Sequence, residues 1–224
     1  MRRLVLLLCA IQSVTLVFSQ TSAKTDTAYL RTITQRADKI VATLGITGDA
    51  KYNSVRDLIA NQYSNLRELY DSRNTKVKAI KTDSTKSKAE KDTMIKQLET
   101  EAGIKLKKLH GEFLTKLSKD LTPEQIDKVK DGMTFGKVQF TYGGFLQMIP
   151  SLTETQKKQI MDWLLEAREL AMDGESSEKK TAIFGKYKGR IANYLSKEGY
   201  DLKKEQEGWN ARIKEAKADT TKSK

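Results

Sequence analysis

The sequence predicts an all-α protein: an irregular bundle in which a long antiparallel helical hairpin precedes shorter capped helices. Three observations carry this. Leu121-Thr122-Pro123-Glu124-Gln125 and Leu152-Thr153-Glu154-Thr155-Gln156 each set a Thr three residues ahead of a Gln. That is capping-box spacing, in which each side chain satisfies a free backbone N–H of the other residue. Two prolines and thirteen glycines in 224 residues are too few turn formers for a sandwich or barrel. Apolar residues recur at intervals of three and four along most of the chain.

The first helix is expected from Thr25 to Leu44, with Tyr29, Leu30, Ile33, Ala37, Ile40, Val41 and Leu44 as its apolar stripe and Gly45 as its stop. A weaker start signal, Ile46-Thr47-Gly48-Asp49-Ala50, opens a second helix with Val55, Leu58, Ile59, Leu66, Leu69, Val77 and Ile80 inward. The polar run from Thr82 to Lys88 reads as a turn or frayed joint. A third helix then carries Ile95, Leu98, Ala102, Leu109, Phe113 and Leu117 on one stripe, closing a hairpin region over 25–120. The region 121–217 holds shorter helices, beginning with Leu121 to Asp131, where Pro123 occupies a first-turn position that needs no N–H. Lys137 to Tyr142 alternates Val138, Phe140 and Tyr142 but has no second run to pair with. It is expected as an extended loop that passes through Gly143-Gly144 into an apolar turn closed by Pro150. Thr153 caps a helix that ends at Gly174. Another runs from Ser177 to Lys197 and stops at Gly199, and a charged helix surrounds Trp209. Residues 218–224 are expected as a disordered tail.

Met1-Arg2-Arg3, the apolar run Leu4 to Phe18 and the small residue Ser19 have the layout of a signal peptide over 1–19, cleaved before Gln20. As a membrane anchor the run is short, interrupted by Gln12, Ser13 and Thr15, and lacks a basic flank. The expected product is an exported protein, periplasmic or secreted, with one helical domain over 20–217. Cys9, the sole cysteine, follows Leu8 and lies too early for lipid attachment. Cleavage would remove it, and with it any disulfide or thiolate metal site. With a single histidine as well, neither a metal nor a cofactor is expected.

Removing Arg2 and Arg3 takes the net charge from +12 to +10. Lys76 to Lys108 alone carries ten lysines against five acids. Such a surface favours an acidic polysaccharide, lipid headgroups or nucleic acid, and export makes nucleic acid the poorest of these. A solvated helix exterior explains the same lysines without any partner. An acidic polysaccharide or an envelope protein is the expected partner.

A few residues stand out of pattern. His110 lies at the edge of the third helix's apolar face, as a partly buried core histidine would. Arg168 falls inside the apolar arc of its helix, between Leu164, Ala171, Met161 and Met172. A guanidinium there needs a carboxylate partner or an anion in a cleft. On the next helix Ala182, Gly185, Gly189, Asn193 and Ser196 form a stripe of small residues suited to close approach of a helix or ligand. The densest set of hydrogen-bonding side chains is Tyr187, Lys188, Arg190, Asn193 and Tyr194. With Arg168 these make the candidate ligand-binding site. No catalytic residue is assigned.

Ala167-Arg168-Glu169, Ala171-Met172-Asp173, Phe184-Gly185-Lys186-Tyr187-Lys188-Gly189-Arg190-Ile191 and Asn193-Tyr194-Leu195 carry a resemblance. The stretch Tyr142–Leu202 resembles a family of exported bacterial proteins catalogued as a domain of unknown function, which accompany plant polysaccharide utilisation systems. That resemblance implies a secreted or periplasmic helical domain and no catalytic residues. The two Leu-Thr-x-x-Gln copies resemble the repeated motif of the Spy/CpxP periplasmic chaperones. Two function classes therefore stand side by side. One is a non-catalytic envelope binding or accessory protein that holds an acidic glycan, with chaperone-like binding as a variant. The other is a lyase on uronic-acid glycans, with Arg168, Arg190, Lys188, Tyr187 and Tyr194 as charge-neutralising and base groups.

Overall fold

A computed structural model describes residues 15–222, which form eight helices and no strand. They are α1 (Thr15–Val41), α2 (Asp49–Thr82), α3 (Lys88–Leu117), α4 (Pro123–Met133), α5 (Lys137–Met148), α6 (Glu154–Met172), α7 (Ser177–Lys197) and α8 (Leu202–Lys222). Most of the expected signal segment, residues 1–14, lies outside the described residues, as do residues 223–224. Helix α1 begins ahead of the expected Thr25, and α8 runs past Lys217 to Lys222. No helix among the described residues is long and apolar enough to cross a membrane.

Both Leu-Thr-x-x-Gln copies form complete capping boxes. Thr122 accepts from the Gln125 N–H and Thr153 from the Gln156 N–H, and each Gln side chain accepts from its Thr N–H in return. The leucines ahead of them, Leu121 and Leu152, are buried. Each Gln has a second task. Gln125 Nε2 donates to the Leu44 carbonyl after α1, and Gln156 Nε2 donates to Glu198 after α7. A third box, Ser87 with Glu90, starts α3 inside the run read as a frayed joint. The Ile46-Thr47-Gly48-Asp49 signal is not a cap of this kind. Gly48 occupies the N-cap position at φ 95° and no side chain bonds the first turn.

Residues 137–148 are helical, which corrects the extended loop expected there. The alternation of Val138, Phe140 and Tyr142 is incidental, because Phe140 is 84% exposed. The core-facing set is Val138, Tyr142, Phe145 and Ile149, at helical spacing. Gly143 and Gly144 each weaken the helix by roughly 1 kcal/mol relative to Ala, too little to break a packed amphipathic turn.

Two apolar clusters result. The first gathers Ile33, Ala37 and Val41 of α1, Val55 and Ile59 of α2, Phe113 and Leu117 of α3, and Val129 and Met133 of α4. The second gathers Val138 and Phe145 of α5, Ile160, Leu164, Ala167 and Ala171 of α6, and Phe184, Ile191 and Leu195 of α7. No residue between Leu66 and Phe113 is buried. The inward residues Leu69, Val77, Ile80, Leu98, Ala102 and Leu109 are half-buried, because one facing helix alone cannot cover them. The small-residue stripe of α7 does not serve close packing: Ala182, Gly185, Gly189, Asn193 and Ser196 are exposed, and space is open beside both glycines.

The end of α4 is unusual. The Gly136 N–H bonds the Asp131 carbonyl and the Phe135 N–H bonds the Gly132 carbonyl, the two closures of a Schellman motif. The left-handed position of that motif falls on Phe135 (φ 60°). Glycine usually occupies it, and a side chain there costs roughly 1–2 kcal/mol. Phe135 is 52% exposed.

Candidate functional site

Between the two clusters lies a polar seam. Arg168 of α6 donates from Nη1 to Asp131 Oδ1 (2.8 Å) and from Nη2 to Asp127 Oδ1 (2.6 Å). The two aspartates are one turn apart on α4 and so present a fork that fits a guanidinium. The Arg168 side chain is 6% exposed. Burial works against its charge, but Asp131 and Asp127 outweigh it and the net shift is upward. Of the two readings of Arg168, the internal ion pair is the one realised.

The rest of the seam is built alike. Lys130 Nζ bonds both carboxylate oxygens of Glu169 at 2.9 Å. His110 Nδ1 lies 2.6 Å from Asp173 Oδ2 at the end of α6, and the Tyr70 hydroxyl donates to the Asp173 carbonyl at 2.8 Å. Arg73 and Asn74 of α2 both donate to Glu175. Buried Lys180 donates to the Met133 carbonyl (3.0 Å) and the Met172 carbonyl (2.9 Å), the final residues of α4 and α6. One ammonium thus serves two helix C-termini, where the backbone dipoles favour a cation. Burial pushes its pKa down to about 8. Gly174 makes room for its stem, since a Cβ there would lie 2.8 Å from Lys180 Cγ.

Three of the six candidate residues come together elsewhere, on the α6–α7 surface. The Arg190 guanidinium lies 4.5 Å from the Trp163 ring centre and 6.0 Å from that of Tyr187. Tyr194 meets Trp163 edge to face at 5.2 Å. Arg190 is 52% exposed, and its ion pair with Glu166 (3.3 Å, also exposed) is worth little in solvent. Burial raises the Tyr187 pKa, and its hydrogen bond to Glu166 raises it further. Burial and then Glu198 raise that of Tyr194. Lys188 is on the opposite flank of α7. It lines an open groove of about 960 Å³ between α5, α7 and α8, along with Phe140, Gly144, Gly189 and Trp209. Asn193 is exposed on the outer side of α7. Trp163 and Glu166 were not singled out from the sequence, because nothing in α6 reports which residues of α7 stand opposite.

The family described as a protein of unknown function, DUF3826, matches residues 30–215. The chain belongs to this family. The match spans all of the DUF3826 core: both apolar clusters, the seam and the Trp163–Arg190 surface. No curated protein matches this DUF3826 chain. Among its described residues no group of three or more His, Cys, Asp or Glu is placed to hold a metal ion.

Proposed function

We propose that this DUF3826 protein is an exported, non-catalytic binding protein of the cell envelope that recognises acidic polysaccharide. The observation that carries the reading is the cluster of exposed Arg190 with half-buried Trp163, Tyr187 and Tyr194 on the α6–α7 surface. Aromatic faces stack on sugar rings, and a guanidinium pairs with a uronate carboxylate in two-point geometry. A ligand carboxylate need only displace the solvent-exposed Glu166 to reach Arg190. The groove beside Lys188 offers a glycine-floored track with Phe140 and Trp209 for a neighbouring stretch of chain. Binding is favoured over elimination because a phenol acting as base needs a lowered pKa, and those of Tyr187 and Tyr194 are both raised.

Affinity electrophoresis of the mature protein through polygalacturonate tests this. Retardation by the polymer is expected, with Trp163→Ala and Arg190→Ala restoring most of the free mobility and a neutral glucan having no effect. Mobility unchanged by polygalacturonate would overturn the reading. Release of ultraviolet-absorbing unsaturated product would replace it with lyase chemistry, and protection of an unfolding client without retardation would replace it with chaperone-like binding.

A further inference from the structure

We propose that a second site, the pocket between α1 and α4, binds a small ring-bearing anion. The space is about 610 Å³ and is lined by Arg36 and Lys39 of α1, Lys128 and Asp131 of α4, Tyr63 of α2 and Phe135. Its three rim cations are unmatched. Among the described residues no carboxylate lies within ion-pair distance of Arg36, Lys39 or Lys128, and Lys128 Nζ reaches only the Thr43 carbonyl, at 3.5 Å. The one carboxylate facing the pocket, Asp131, is already engaged by Arg168. Behind Tyr63, the Lys180 ammonium lies 5.5 Å from the ring centre and adds to the positive field. An unbalanced cluster of cations around this open depression attracts an anion.

The walls say what the anion carries. Phe135 is held left-handed at a position that glycine fills without strain, and its ring is left half in water at the pocket. Neither helix closure nor core packing gains from a phenyl ring there. A ligand ring laid between Phe135 and Tyr63 would gain from it, by burying the exposed face. The arrangement suits a carboxylate, sulfate or phosphate borne on a ring of pyranose or phenyl size. The head group would sit among Arg36, Lys39 and Lys128, with the ring against the two aromatics.

Titration calorimetry on the full chain, with galacturonate, benzoate and inorganic phosphate as probes, decides the matter. Galacturonate or benzoate is expected to bind more tightly than phosphate, and the better of the two identifies a sugar acid or an aryl acid as the source. Arg36→Gln is expected to weaken that binding at least tenfold, about 1.4 kcal/mol. Phe135→Gly and Phe135→Asn, both tolerant of the left-handed position, are expected to weaken it by a similar factor while keeping or raising the thermal midpoint. The proposal is overturned if neither ring acid binds up to about 10 mM, if phosphate binds as tightly as both, or if the Phe135 variants bind unchanged. Trp163→Ala is expected to leave this affinity intact, and Arg36→Gln to leave polygalacturonate retardation intact, so failure at one site is distinct from failure at the other.

Discussion

His110 acquires its carboxylate partner only on folding, so its protonation is linked to stability. The hydrogen bond to Asp173 raises its pKa above the ordinary 6.5, against the opposing effect of burial. A histidine whose folded pKa is raised binds its proton more tightly in the native state. Its contribution is therefore complete below about 6.5 and is lost as pH climbs through the higher folded value. Urea unfolding of the wild type is expected to show stability falling across that window, and His110→Gln to lack that part of the slope. A variant as pH-dependent as the wild type would place the titration elsewhere. The neighbouring Arg168 illustrates what a single residue discloses. Its position in an apolar arc required a counter-charge or an anion, but the choice depended on Asp127 and Asp131, which meet it only once α4 packs on α6.

Helix beginnings were the most legible feature of the chain, because a cap is a local interaction between residues three apart. The boxes at Thr122 and Thr153 formed where the spacing put them, and α2, α3, α6 and α7 lie close to their expected bounds, whereas α1 starts ten residues before the expected Thr25. Elements without a local signal were less legible. Helix α5 has neither a side-chain cap nor a clean stripe, and its exposed Phe140 imitates strand alternation. The end of α4 was obscured because Phe135 takes the place where glycine is normally found. The Gln of each box also carries a long-range bond that capping alone does not reveal. Thr153→Ala is expected to lower stability by about 1 kcal/mol, the value of an N-cap. Gln156→Ala removes the return bond to the Thr153 N–H, the tie to Glu198 and the acceptor of the Tyr200 hydroxyl. It is expected to cost roughly 2–3 kcal/mol, since the residue is buried and its partners lose their bonds too. Equal losses in chemical denaturation would show that the Gln acts as a cap and nothing more.

Across the whole molecule, Met172 at the end of α6 packs into the first apolar cluster, and ion pairs and hydrogen bonds tie α3 and α4 to α6, its end and α7, a division of labour with a measurable consequence. Apolar contact is tolerant of small shifts, whereas the seam fixes α6 against α4 in one geometry, because a guanidinium bonds two carboxylates only when both are aimed at it. Arg168→Met retains much of the stem's packing but leaves Asp127 and Asp131 side by side, one turn apart, as like charges. Asp127 is 58% exposed, so solvent relieves part of that repulsion. The expected loss is about 1–3 kcal/mol, below the roughly 3–5 kcal/mol that breaking a fully buried pair costs. If matched charge is what the seam supplies, adding Asp127→Asn and Asp131→Asn to Arg168→Met should recover more than half of the loss, since no unpaired charge is left behind. If the seam also couples the two clusters, the single variant should unfold in urea with a shallower dependence on denaturant, as one half loosens ahead of the other, and the triple variant should restore the wild-type slope. A triple variant no more stable than Arg168→Met would show that the arginine holds the halves together by its packing, with the aspartates incidental to it.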